Sequence, residues 1–249
     1  MIRFGAAIAV ALTLAFPARA QMPLASRLSM EKLGDIESGA YQAGDDVKFT
    51  LDSDNGNFLL RFEGDPEVFV LYTDRASMGG RVLKYDSGET ALQVAGWGGM
   101  TLYTDRDTGG LPAVRTGDSV PPAPPEISLQ DMQNAASDEA EHLAYMRGLH
   151  LDFTADWNAL ANDDGLRALC FDAMENTARG IERFTASAAG RQTLAHRVNT
   201  VLIARGAKPM VGLKDKTLTA TFNPARGYAG RASSRAIARA LERVFRQKN

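Results

Sequence analysis

The chain has 249 residues, 45% hydrophobic and 23% charged, with a mean hydropathy of −0.21. That composition suits a soluble globular protein and excludes collagen-like, disulfide-framework and fully disordered classes, and no apolar run reaches the ~18 residues of a membrane span. The formal net charge of −2 hides two opposed halves: residues 21–150 hold 10 Lys+Arg against 21 Asp+Glu, a net of −11, whereas residues 151–249 hold 16 against 9, a net of +7.

In chain order, Arg3 precedes an apolar run from Phe4 to Phe16, and Pro17 leads into Ala18-Arg19-Ala20, a small-x-small cleavage pattern. Residues 1–20 are therefore read as a secretory signal peptide, with Gln21 as the mature N-terminus and a periplasmic or extracellular destination. No cysteine stands at the cleavage point, so no lipid anchor is expected there. Residues 21–40 form a leading segment with room for a short helix.

From Val47 the pattern has period two: Val47, Phe49 and Leu51 alternate with polar residues, Asn55-Gly56 supplies a type I′ turn, and Phe58, Leu60 and Phe62 resume the alternation. Further short strands are expected at 68–72, 82–85, 91–95 and 100–104, each bounded by Gly, Asp or Ser. Residues 41–118 thus read as an antiparallel β-rich domain, a meander of six or seven strands forming a small barrel or sandwich. Tyr72-Thr73-Asp74-Arg75 returns as Tyr103-Thr104-Asp105-Arg106, 31 residues on, either as repeated turn chemistry or as two equivalent units on one rim of the sheet.

Residues 119–126 contain Pro121, Pro122, Pro124 and Pro125 and read as an extended linker. Beyond it, 127–249 reads as a mainly helical domain. A helix begins at Ser128 with Asp131 in a capping-box-like arrangement and runs to about Gly148; two more are expected at 166–187 and 191–205, the latter closed by Gly206 and Pro209. Leu218, Ala220 and Phe222 alternate with threonines in a strand at 217–222, a late strand or hairpin within the mainly helical half. A final basic amphipathic helix starts near Ser233, with Ile237, Leu241, Val244 and Phe245 on one face and Arg235, Arg239, Arg243 and Arg246 on the other. The fold class is α+β. The apolar face of this last helix is expected to dock on the helical domain, not on a membrane, because four large exposed apolar side chains would invite aggregation.

Familiar catalytic signatures do not hold together. Ser29-x-x-Lys32, Ser53-Asp54-Asn55 and Lys216-Thr217 superficially match the motifs of penicillin-recognising serine enzymes. The second follows the first too closely to admit a helical domain, however, and Leu218 replaces a needed glycine. Glu139-x-x-His142 lacks the second copy that a di-iron bundle requires. Asp52, Asp54 and Asn57 are explained by the hairpin turn, not by a calcium loop. Cys170 falls on a helical apolar face with Leu166 and Ala173 and reads as an inert core thiol. Trp97 in Gly96-Trp97-Gly98-Gly99 reads as a core tryptophan at a bend, with an exposed stacking platform as the alternative. No metal or cofactor is expected.

The segment from Arg226 to Arg235 is the one with site chemistry. Arg226, Arg231 and Arg235 flank Ser233 and Ser234 at the start of a helix, where free backbone amides and hydroxyls suit an anion; glycines and helix capping explain the same residues without a ligand. These five are the candidate ligand-binding residues, for an anionic small molecule, a phospholipid head group or a cell-wall polymer. Nucleic acid is not expected. The opposed charges of the two halves alternatively screen each other across a contact.

Arg61-Phe62-Glu63-Gly64-Asp65-Pro66-Glu67-Val68, Gly98-Gly99-Met100-Thr101-Leu102-Tyr103 and Gly227-Tyr228-Ala229-Gly230-Arg231-Ala232-Ser233-Ser234, with the leader, resemble an uncharacterised family of exported bacterial proteins classed as a domain of unknown function. The resemblance implies export and a shared full-length organisation, and nothing about chemistry. The expected function is a non-catalytic binding or envelope-associated protein that recognises an anion through its basic C-terminal region. The rival is a hydrolase or transferase that holds an anionic substrate with the Arg226/Arg231/Arg235 cluster and uses Asp74 or Asp105 as base.

Overall fold

The computed structural model describes residues 36–246; the signal-peptide reading, nearly all of the leading segment and the Ser29/Lys32 motif lie outside the described residues. Two bodies follow one another, a β-barrel and a helix-covered mixed sheet.

Eight antiparallel strands close the barrel: β1 (Gly39–Ala43), β2 (Val47–Asp54), β3 (Asn57–Phe62), β4 (Phe69–Arg75), β5 (Arg81–Tyr85), β6 (Thr90–Val94), β7 (Met100–Leu102) and β8 (Leu111–Gly117). Each pairs with the next, and β8 returns to β1. The Asn55-Gly56 turn has φ of 48° and 83°, the double left-handed geometry that a two-residue hairpin requires and that Asn and Gly tolerate best. Inward residues such as Leu51, Leu60, Leu83, Leu92 and Leu102 are fully buried and form the core of the barrel. Along one end runs a chain of aromatic contacts, Tyr41–Phe49–Phe62–Phe69–Tyr85, with ring centroids 5.3 to 6.4 Å apart.

Because the meander is antiparallel, the connections 44–46, 63–68, 86–89 and 103–110 share that end, and the 55–56, 76–80 and 95–99 turns share the other. The Tyr-Thr-Asp-Arg echo therefore does not form two units on one rim: Asp74 heads toward the far end and pairs with Lys84 at 2.7 Å, whereas Asp105 stands at the end facing the second body. Trp97 is also not in the core. It is 75% exposed in the β6–β7 turn, where Gly96 presses against the Met78 carbonyl and leaves the indole in solvent.

Residues 118–128 carry no regular element before the next helix and are held to the barrel at their start, where Ser119 donates to the buried Asp52 and Arg61 reaches both Asp52 (3.3 Å) and the Val120 carbonyl (2.5 Å). The second body has helices α1 (Leu129–Arg147), α2 (Trp157–Ala161), α3 (Asp164–Phe184), α4 (Ala188–Arg197) and α5 (Ser234–Arg246). Ser128 caps α1, accepting from the Asp131 amide at 3.1 Å, and Gly148 ends it in the left-handed conformation. The helices cover a four-stranded sheet of β9 (Asp152–Ala155), β10 (Thr200–Arg205), β11 (Met210–Lys214) and β12 (Thr217–Phe222), in the order β11-β12-β10-β9.

The helix expected over 191–205 is corrected here. Helix α4 stops at Arg197, and Thr200-Val201-Leu202-Ile203 is the central strand, parallel to both β9 and β12. Leu194, Val198 and Val201 imitate a helical face, yet the β-branched run suits a strand held on both sides. The late strand expected at 217–222 is β12, which forms a hairpin with β11, and β9 adds a further strand on the other side of β10.

Helix α5 docks on α3. Ile237, Leu241 and Phe245 are buried, Val244 is half-buried, and Gly180 lets the two backbones meet: a Cβ there would lie 2.5 Å from Ile237. No helix of the described residues is long and apolar enough to cross a membrane.

Candidate functional site

The acidic end of the barrel meets the basic start of α5. Glu67, 1% exposed, accepts from the Ser234 amide and hydroxyl, both at 2.7 Å. Asp86 does the same for Ser233, at 2.7 Å from the amide and 2.5 Å from the hydroxyl. Burial pushes both carboxyls up, and the serine donors act to bring them down. The first amides of α5, read from sequence as an anion site, are thus occupied by two carboxylates of the same chain, which also complement the positive end of the helix dipole.

The arginines divide in the same way. The Arg231 side chain is buried, pairs with Asp172 and donates to the Val68 carbonyl at 2.9 Å. Arg235 bridges Glu89 (2.9 Å) and Asp105 (2.7 Å) and lies over the Tyr85 ring, 4.4 Å from its centroid. Arg183 joins Asp105 (2.8 Å) to the Ser234 hydroxyl (2.9 Å), and Arg239 donates to the Ser87 carbonyl at 2.6 Å. Although burial pushes the Asp105 carboxyl up, Arg183 and Arg235 together hold it below the usual carboxylate value. A carboxylate so held is a weak base at neutral pH. Asp74, at the far end, is nowhere near these arginines.

Arg226 is different. It stands exposed on the 3₁₀ turn Pro224–Gly230, whose Tyr228 and Ala229 pack on Leu59, Val68 and Val70 of the barrel wall. From there it lines a cleft of about 500 Å³ between the barrel, the β10–β11 connection and α5. The cleft brings Arg226 and Arg231 together with Lys208, Arg243 and Tyr72, and its floor is alanine-rich. Lys208, Arg226 and Arg243 are exposed and make no ion pair among the described residues. The lining's one carboxylate, Asp86, is turned to Ser233. Burial pushes the Tyr72 hydroxyl up, Asp86 adds to this and Arg226 opposes it, so the ring lies within the field of both.

Lys208 and Arg243 escape a reading by sequence proximity because the β10–β11 turn and the third turn of α5 meet Arg226 only through tertiary packing. Among the described residues no group of three or more His, Cys, Asp or Glu side chains could hold a metal ion. His142 pairs with Glu182 at 2.9 Å, and burial pushes the Cys170 thiol up to about 12.

A filled eight-stranded barrel, docked by one end onto a helix-covered mixed sheet with a cationic cleft at the seam, defines a two-body α+β protein. The chain belongs to the family described as domain of unknown function DUF4908, whose model matches residues 20–241. No curated protein and no solved structure matches it significantly.

Proposed function

We propose that the protein is an exported, non-catalytic binding protein of the cell envelope that holds an anionic ligand in the Lys208/Arg226/Arg243 cleft. One observation carries this reading: three cations line one accessible concavity without carboxylate partners, while Arg183, Arg231 and Arg235 beside them are all engaged within the fold. Like charges gathered around one cleft repel each other, and an anion there removes the repulsion while gaining charge-assisted hydrogen bonds. Ligand-class candidates are a phosphorylated small molecule, a phospholipid head group or a cell-wall polymer. The compartment follows from the reading of residues 1–20 as a cleaved leader.

Calorimetric titration of the mature protein with pyrophosphate should show saturable binding that weakens with added salt. The double variant Arg226→Ala/Arg243→Ala should lose at least tenfold in affinity with its melting temperature unchanged. Equal binding by this variant and the parent would overturn the assignment. Mass spectrometry of the exported protein should find Gln21 at the N-terminus; an intact Met1 would refute export by cleavage.

A further inference from the structure

We infer that the ligand of this cleft is an amphipathic anion, one anionic group on an apolar chain or ring, an inference that rests on the anion reading above. The cations sit around the cleft on three separate elements, and apolar side chains share the lining with them. Ala236 and Ala240 stand one turn apart on α5, and Ala232, two residues before the helix, lines the same space, so this side of the helix offers a shallow trough of small side chains. Val211, Met210 and Tyr72 face the same space. Met210 is 56% exposed and Tyr72 37%, so apolar and aromatic surface is left in solvent beside the cations.

A strongly hydrated inorganic anion gains nothing from such a wall, and a neutral apolar ligand gains nothing from the cations. A ligand with both parts uses the whole lining. The gain is large, because each methylene transferred from water to an apolar surface is worth about fourfold in affinity. At about 500 Å³ the cleft has the capacity of a ligand pocket and exceeds what a single phosphate needs.

The test compares inorganic phosphate, octyl phosphate below its micelle concentration, and octyl glucoside, which has the same tail without the charge, by calorimetry on the mature protein. Octyl phosphate should bind at least thirtyfold more tightly than phosphate, and octyl glucoside should not bind measurably. Ala240→Trp, which fills the trough, should bring octyl phosphate down to the level of phosphate and leave phosphate itself unchanged. Ala236→Leu serves the same purpose if the tryptophan variant does not fold. Equal affinity for phosphate and octyl phosphate would overturn the inference and leave the anion reading standing. Absence of binding by every anion would overturn both. Vesicles of mixed neutral and anionic phospholipid provide the last arm: co-sedimentation abolished by Arg226→Ala/Arg243→Ala and unaffected by Ala240→Trp, without uptake of the monomer, would make the site a contact for bilayer head groups and overturn the pocketed tail.

Discussion

Arg226 and Arg231 belong to one turn of the chain, yet Arg231 is buried against Asp172 and the Val68 carbonyl, whereas Arg226 stands in solvent at the edge of a cleft. The same division separates Arg235, fixed between Glu89 and Asp105, from Arg243 two turns further along α5. Clustering of cations in sequence is thus resolved by the barrel. Where its acidic loops reach, arginines hold the two bodies together; where they do not, arginines remain available to an external anion.

Stability measurements on single variants should separate the two groups most clearly. Arg231→Ala would leave the Asp172 carboxylate and the Val68 carbonyl without their cation in a buried place, and denaturant unfolding should show a loss of ~3 to 5 kcal/mol. Leu241→Ala, on the docked face of α5, should cost ~2 to 5 kcal/mol, since the side chain is fully buried. If Leu241→Ala left the melting temperature untouched and abolished vesicle binding instead, α5 would be a membrane anchor and the docking would be wrong. Glu67→Gln keeps one acceptor for Ser234 and sets an amide donor against its other donor, so a loss of ~1 to 3 kcal/mol is expected. Arg226→Ala should lie within about 0.5 kcal/mol of the parent, as an exposed side chain with no ion pair among the described residues should.

A pH series adds a contrasting case in which carboxylates face each other. On α1, Glu139 is pushed up to about 7, first by burial and then by Glu175, with His142 and Arg179 opposing. A carboxyl raised in the folded state binds its proton there at a pH where the unfolded chain has released it. Its contribution to stability is therefore full below the ordinary value of 4.5 and is lost as the pH rises through about 7. Glu139→Gln should flatten that part of the stability curve. A slope unchanged by the variant would assign it to other groups.

The hairpin at Asn55-Gly56, helix α1 with its Ser128 cap and the docked face of α5 were legible because each follows from residues close in sequence. Strand β10 was not: Leu194, Val198 and Val201 are spaced as on one face of a helix, and the arbiter is pairing with β9 and β12, whose partner residues lie 48 positions before and 17 after. The sequence reading offers the Ser233 and Ser234 donors to an external anion, and within the fold they meet carboxylates of the same chain. Their partners, Glu67 and Asp86, lie 167 and 147 residues earlier, so only the closed barrel could reveal that the anions were already in the chain. Arg226 stands in the segment that the sequence singles out, whereas Lys208, Arg243 and Tyr72 join it in the cleft by packing alone.

Closure of the barrel has a consequence for how this chain meets other copies of itself. Its eight strands each have a paired neighbour on both sides, so the β-rich half has no edge strand. The four-stranded sheet does have two open margins, β9 and β11. The first is four residues long and begins at Asp152, and the second ends at Lys214 before the charged turn Asp215-Lys216. Short length on one margin and charge on the other discourage edge-to-edge growth, which leaves the uncharged Met210-Val211-Gly212 stretch of β11, where Met210 is exposed, as the point of greatest vulnerability.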